Sequence, residues 1–380
     1  MKIGFAAPIN CSSLKARFNL TEQIPSTYEF PLTTDIAEEY VRQGHQVTVF
    51  ALSYDVKQPF RLDTPNLSFR ICPFRPLKRR MLDGLYKEIK WLRSEMEDAD
   101  VDVIHAHWTY EFALAALQSK RPCLVTAHDA PWRIVREVKF SHKPYRIMMA
   151  LMAARVLMRA RWLTCVSPYM QQQIAHYWPS RTDAKVIPNG IRLPTIARDA
   201  RHTNDCIIYA VAGDLADKRK NSRATLDAFG IVQKTLPNAK LWVFGTHEKS
   251  RKLLSHYKNV KCFPPLDQAA FLKQLSQADI LVHSALEESF GMLVLEAMAL
   301  GMPVIGGDHS GAIPWLLDNG TAGVLTNINN PVVLSNAMYE LGSNLEKRRS
   351  LSVVGKERAA NFSLKNAANI YIRLLTEIVE

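Results

Sequence analysis

Along the chain, short apolar runs rich in β-branched residues alternate with longer stretches in which apolar residues recur every three or four positions. That alternation predicts parallel strands joined by helices that cover both faces of a sheet, an α/β fold. In the first half the strand-like runs fall at 3–7, 46–52, 67–71, 101–105, 122–127, 162–166 and 185–187. A second series follows at 206–212, 240–244, 259–263, 279–283, 303–306 and 322–325. The first connecting helix, 33–43, is closed by Gly44, a residue that ends helices in a left-handed turn. Residues 10–31 carry no period and are expected to form a long loop, a lid over an acceptor. Between the two series the pattern lapses: Ile187, Pro188, Asn189, Gly190 and Ile191 lead into a polar, basic stretch. Turn residues without periodicity mark a linker, so two domains are expected, 1–195 and 196–363, followed by a final helix at 364–380. A length of 380 residues, too long for one ordinary core, agrees with two domains.

Composition narrows the class. With 47% hydrophobic and 22% charged residues, the chain has the make-up of a globular protein in water. The first strand runs directly into Pro8 and Asn10, which leaves no room for a signal-peptide apolar region. The most membrane-like run, 147–165, carries Arg155, Arg159 and Arg161, so no span is expected and the protein is placed in the cytoplasm. The six cysteines are scattered, with no pair at metal or redox spacing. The formal charge of +12 is unevenly placed. Arg75, Lys78, Arg79 and Arg80 form one basic group, and 133–161 holds eight Lys or Arg against Glu137. This second group, Arg133 to Arg161, overlaps a Met- and Leu-rich helix at 145–162, flanked by Trp132 and Trp162. Such a segment fits an anionic membrane surface as well as it fits a core helix with a solvated basic side. No base-stacking or groove-reading motif accompanies the charge, which argues against nucleic acid as a partner.

The most informative stretch is 283–305, HSALEESFGMLVLEAMALGMPVI. Glu288 falls in a loop, Gly291 at the opening of a helix and Glu296 in its second turn, before Gly301 and Pro303 end it. A helix start is an anion site, because its N–H groups are unpaired and the peptide dipoles align behind them. Two carboxylates beside that site would repel an anion, whereas a ligand with a phosphate centre and hydroxyls on both flanks satisfies all three elements. A nucleotide sugar has that form.

The same string resembles, nearly residue for residue, the signature of the retaining glycosyltransferases of family four, with the GT-B fold. The resemblance implies two Rossmann-like domains facing across a cleft, the last helix crossing back onto the first. It implies that Glu288 bonds hydroxyls of the donor sugar, that Glu296 holds the ribose, and that Phe290, Gly291 and Met292 offer backbone N–H groups. The segment 213–221, GDLADKRKN, resembles the family's diphosphate-binding loop, with Arg219 and Lys220 in the places of its Arg and Lys. Asp214 stands where the Arg is usual. Phe263 and Pro264, just past a strand end, are candidate walls for the base. From the first domain, His128 resembles the family's active-site histidine, and His107 with Trp108 is a candidate acceptor-side wall. The family's glycine pair after the first strand is absent, with 24–29, IPSTYE, in its place, and Trp315 replaces a usual acidic residue. The resemblance further implies front-face substitution with retention, the diphosphate itself taking the acceptor proton. We see no clustered metal ligands, so no cofactor or metal is expected beyond the nucleotide-diphosphate sugar, and activity should survive a chelator. The leading expectation is transfer of a sugar to a glycan or lipid-linked glycan, peripheral to the inner face of a membrane. The rivals are an epimerase or phosphorylase of the same fold and a catalytically silent nucleotide-sugar-binding subunit.

Overall fold

The computed structural model describes residues 1–138, 140–193, 206–255 and 257–380. The chain forms two compact units, one of Met1–Gly190 with Leu364–Glu380 and one of Ile191–Ser363. The boundary placed at 195/196 from the sequence lies outside the described residues.

The first unit holds an eight-stranded sheet of β1 (Lys2–Ala6), β2 (Gln46–Ser53), β3 (Phe60–Leu62), β4 (Leu67–Pro73), β5 (Val103–His107), β6 (Cys123–Ala127), β7 (Trp162–Cys165) and β8 (Lys185–Val186). Their spatial order is β3-β4-β2-β1-β5-β6-β7-β8. All neighbours pair in parallel except β3, a three-residue antiparallel edge. The second unit holds a six-stranded sheet of β9 (Ile208–Ala212), β10 (Lys240–Phe244), β11 (Val260–Cys262), β12 (Ile280–His283), β13 (Val304–Gly307) and β14 (Val324–Thr326), in the order β11-β10-β9-β12-β13-β14 and parallel throughout. The strands read as continuous apolar runs because helices bury both of their faces. Phe5, Phe50 and Phe69 are sealed inside the first unit, and Tyr209, Phe229 and Phe244 inside the second.

The helix Leu364–Val379 belongs to the first unit, where Ala367, Ala368, Tyr371, Leu374 and Leu375 are buried. The helix Pro31–Arg42 starts on Pro31, whose missing N–H costs nothing at that position, and ends before Gly44 at φ 85°. Residues 10–31 depart from the expected loop: Cys11–Arg17 is a helix whose N-cap, Asn10, accepts from Ser13 N at 2.7 Å. The rest is pinned, with Ile9 N donating to Tyr28 O at 2.9 Å and Tyr28 N to Leu52 O at 2.8 Å. Only Cys11 and Leu14 of that helix are buried, too few to write a period into the sequence.

Candidate functional site

In the second sheet the strand order reverses direction between β9 and β12. Connections from these two strands leave toward opposite faces, so a crevice opens at their C-terminal ends. The loop after β9 carries Lys220 and the loop after β12 carries Glu288, and backbone contacts fasten the two together. Leu286 N donates to Arg219 O at 2.8 Å, and Ser284 Oγ donates to Lys220 O at 3.0 Å. Lys220 Nζ then donates to Glu288 Oε1 at 2.7 Å. Gly213, at φ 139°, makes this possible: a Cβ there would lie 2.5 Å from Lys220 Cβ. His283 Nε2 stands 3.5 Å from the same glutamate oxygen, too far for a hydrogen bond but close enough to act through space. Burial raises the Glu288 carboxyl, while His283 and Lys220 lower it by more, which leaves it at about 2 and ionised near neutral pH.

Gly291 turns the chain into the helix Met292–Ala299 at φ 99°, where a Cβ would meet Ile313 Cδ1 at 2.7 Å. The first-turn N–H groups of this helix have no intrahelical acceptor. The Phe290 ring itself points into the core, edge-on to Trp315 and Phe362 at 6.0 Å each. Arg358 lies over both partners, so Trp315 is a packing residue where the family's acidic residue was expected. Ala312 N donates to Glu288 O at 2.9 Å and holds the loop against the next turn. Glu296, on the second turn, accepts from Gln268 Nε2 at 2.8 Å. Gln268 opens the helix Gln268–Leu275, and nothing in the sequence pattern marks it.

Three other sequence-chosen residues need adjustment. The guanidinium of Arg219 pairs with Asp217 at 3.3 Å, so Lys220 is the cation in contact with Glu288. Asp214 is a structural post: its carboxylate accepts from Ala216 N, His247 N and Ser250 Oγ, each at 2.8 Å. The Phe263 ring stacks on Phe244 at 4.5 Å inside the unit, because its neighbours Trp242 and Phe244 leave an aromatic slot there. Pro264, next in the chain, is exposed.

In the first sheet the same reversal lies between β1 and β5. β5 ends at His107, two residues later than the apolar pattern indicated, which puts His105 and His107 on one face with rings 4.1 Å apart. His128 follows β6, and its Nε2 is 2.8 Å from His107 Nδ1. Trp108, at φ 62°, lies 4.4 Å from the His128 ring. Burial lowers His128 to about 3, so both rings are neutral near pH 7. Asp129 accepts from Tyr110 Oη at 2.9 and 3.0 Å, and burial raises its carboxyl to about 6 and that of Glu111 to about 7. Beyond β1 and β2 an open pocket of about 460 Å³ is lined by Asn10, Ser12, Ser26, Thr27, Tyr28, Glu29 and Tyr54.

The basic groups divide on folding. Arg75 is held by Asp83 and Glu88, and Arg80 is buried with its guanidinium 3.6 Å from the Phe74 ring centre, which leaves Lys78 and Arg79 exposed. The helix expected at 145–162 spans Lys143–Arg159. Trp162 begins β7, and Trp132 packs on Tyr177 and Trp178, so neither is a free interfacial ring. Ile147, Leu151, Arg155, Met158 and Arg159 form an exposed stripe along that helix. No described helix is long and apolar enough to cross a membrane. An Asp98-x-Asp100-x-Asp102 run stands before β5, at the end of the strand away from His107, where Lys2 pairs with it. Among the described residues no group of three His, Cys, Asp or Glu is placed to hold a metal.

Two doubly wound, mainly parallel sheets in one chain are the elements of the GT-B fold. A family model described as Glycosyltransferase Family 4 matches residues 32–193, and one described as Glycosyl transferases group 1 matches 207–344. The chain belongs to the family-four glycosyltransferases. It is 22% identical over 322 residues to a D-inositol 3-phosphate glycosyltransferase of Paenarthrobacter aurescens, covering 79% of this chain and 78% of that protein. In fold it is similar to sucrose-phosphate synthase of Thermosynechococcus elongatus, with a TM-score of 0.77 at 16% identity over 100% and 99% of the two chains. It is also similar to HepE of Anabaena, solved in complex with UDP and glucose, with a TM-score of 0.69 at 16% identity over 99% and 100%.

Proposed function

We propose that this glycosyltransferase moves a sugar from a nucleotide-diphosphate sugar to a glycan or lipid-linked glycan, with retention of configuration and without a metal. The observation that carries the reading is the ion pair between Lys220 and Glu288 at the switch point of the second sheet. A cation and oriented N–H groups stabilise a departing diphosphate best where water is scarce. Lys220 and Arg219 supply that charge, aided by the helix start at Phe290, Gly291 and Met292. Glu288, kept ionised, accepts from sugar hydroxyls, and Glu296 from the ribose. Pro264 flanks the base. His128 is assigned to a sugar hydroxyl, and as the bond between the sugar and the diphosphate breaks, the diphosphate takes the acceptor proton and the new glycosidic bond forms. The pocket of Tyr28 and Tyr54 suits an acceptor glycan, since two tyrosine faces lie among hydroxyls and a carboxylate.

The test is incubation with UDP-, GDP- and ADP-sugars, with and without a chelator, reading nucleotide release and product anomeric configuration by NMR. Release with retention, unaffected by the chelator, supports the proposal. Inversion, or activity that Mg²⁺ restores after chelation, overturns it. Conversion of donor alone to an epimer would favour an epimerase, and binding without release a silent subunit. Glu288→Ala should lower turnover more than donor affinity.

A cytoplasmic, membrane-borne acceptor is favoured by the exposed stripe on Lys143–Arg159, with Leu151 and Met158 beside Arg155 and Arg159. Neutralising Arg133, Arg136, Arg155 and Arg159 should reduce binding to anionic vesicles but not to neutral ones. Unchanged binding would make the helix merely structural.

A further inference from the structure

We infer that His107 is a positioning residue: it holds His128 as the tautomer protonated on Nδ1, so that His128 meets its ligand as a hydrogen-bond donor. The inference rests on the reading of His128 as a substrate contact.

A neutral imidazole has one N–H and one bare nitrogen, so the bond between His107 Nδ1 and His128 Nε2 has two possible directions. In one, His128 Nε2–H donates, and the proton of His107 must then sit on its own Nε2. That atom is buried and has no hydrogen-bond partner. In the other, His107 Nδ1–H donates to His128 Nε2, and the buried His107 Nε2 is only a bare acceptor. Orphaned buried N–H groups are the rarer and costlier defect. Both arrangements leave that nitrogen unsatisfied, and the bare acceptor is the lesser defect, so the second arrangement is favoured. With its Nε2 accepting, His128 must carry its proton on Nδ1. That atom has no hydrogen-bond partner among the described residues, and unlike His107 Nε2 it is not sealed from solvent.

The surroundings hold His107 in place for this task. Its ring lies 4.8 Å from Phe5 and 4.1 Å from His105. His105 is itself bound on both sides, by Tyr40 Oη at 2.9 Å and by Thr126 Oγ1 at 2.8 Å, and Tyr371 covers it at 4.6 Å. Thr126 Oγ1 continues to Thr164 Oγ1 at 2.7 Å. If Tyr40 donates to His105 Nδ1, then His105 Nε2–H donates to Thr126, Thr126 to Thr164, and Thr164 to Val125 O, so each hydroxyl in the row donates once. Run in that direction, the row leaves His105 with no proton to offer His107.

The chemical consequence is specific. A His128 that donates from Nδ1 suits a lone pair on a sugar or phosphoryl oxygen. It does not suit a general base, since its bare nitrogen is turned inward and occupied. The test is ¹⁵N–¹H correlation NMR on the whole protein labelled at histidine, near pH 7. Wild type should show His128 with a protonated Nδ1 and an unprotonated Nε2. His107→Leu should release it to a tautomer mixture, and His107→Asn, whose amide nitrogen takes the place of Nδ1–H, should restore it. A wild-type His128 protonated on Nε2, or a His128 unchanged in His107→Leu, overturns the inference. The wild-type measurement needs no variant to fold. In His107→Leu, turnover with the donor found active should fall about tenfold while the dissociation constant of the free nucleotide stays within about twofold. If the tautomer changes as described and turnover does not, the placement of His128 at the substrate fails and the tautomer assignment stands.

Discussion

Replacing Glu296 should weaken nucleotide binding, and the bond from Gln268 sets how that loss divides. A hydrogen bond to a charged group is worth about 1.5–3 kcal/mol, so Glu296→Ala should raise the dissociation constant roughly 10- to 150-fold. Gln268 donates to Glu296 at 2.8 Å from an exposed position, which places that bond near the bottom of the usual range, about 0.5–1 kcal/mol. Gln268→Ala should therefore cost only about two- to fivefold. Because Gln268 acts through Glu296, the two losses should not multiply, and the double variant should match Glu296→Ala. Calorimetric titration with UDP, GDP and ADP at one fixed salt concentration measures all four corners. Multiplying losses would mean that Gln268 touches the nucleotide itself. A Glu296→Ala protein that binds every nucleotide as tightly as wild type would remove Glu296 from the site.

Other outcomes follow from the same geometry. Glu288 has a folded value near 2 against an ordinary 4.5, so it stabilises the fold above pH 4.5 and loses that contribution as pH falls toward 2. With Lys220 partly exposed the effect is screened to about 1–2 kcal/mol, and the melting temperature of Glu288→Gln should converge on wild type as pH falls from 4.5 to 2. A constant gap would refute it. Glu111 has the opposite sign: burial raises it to about 7, so the fold loses stability as pH rises from 4.5 to 7, by about 3 kcal/mol. Glu111→Gln should thus melt higher than wild type at pH 8 and no higher at pH 4. Gly213→Ala places a Cβ against Lys220 in a left-handed conformation, and it should cost at least 1–3 kcal/mol and weaken nucleotide binding, read by thermal shift.

The parallel strands were legible because burial on both faces writes them as unbroken apolar runs, and β10 agrees with its run at both ends. β3 was not, because three residues on an edge leave no pattern. Two-residue shifts such as that of β5 arise because Val101 is buried and apolar yet lies outside the ladder. In the site, Gly291 and the flanking glutamates were readable as a local string. Lys220 and Glu288 were each singled out through resemblance, but the bond between them joins residues 68 apart and was not legible in the sequence. Gln268, and the approach that demands glycine at 213, involve partners that only the folded chain brings together. Phe263 shows the reverse: a ring near a strand end is drawn inward where neighbouring aromatics leave a slot for it.

The helix Leu364–Val379 gives the chain an order of events. The first unit is discontinuous in sequence, since residues 191–363 are made before the segment that supplies Tyr371, Leu374 and Leu375 to its interior. During synthesis the second unit is therefore complete while the first still lacks a wall, at roughly 5–20 residues per second. Residues 1–190 spend that interval with His105 and the apolar surface beneath the missing helix uncovered. A chain released before residue 364 would carry a complete second unit and an unfinished first one, and should be prone to aggregation.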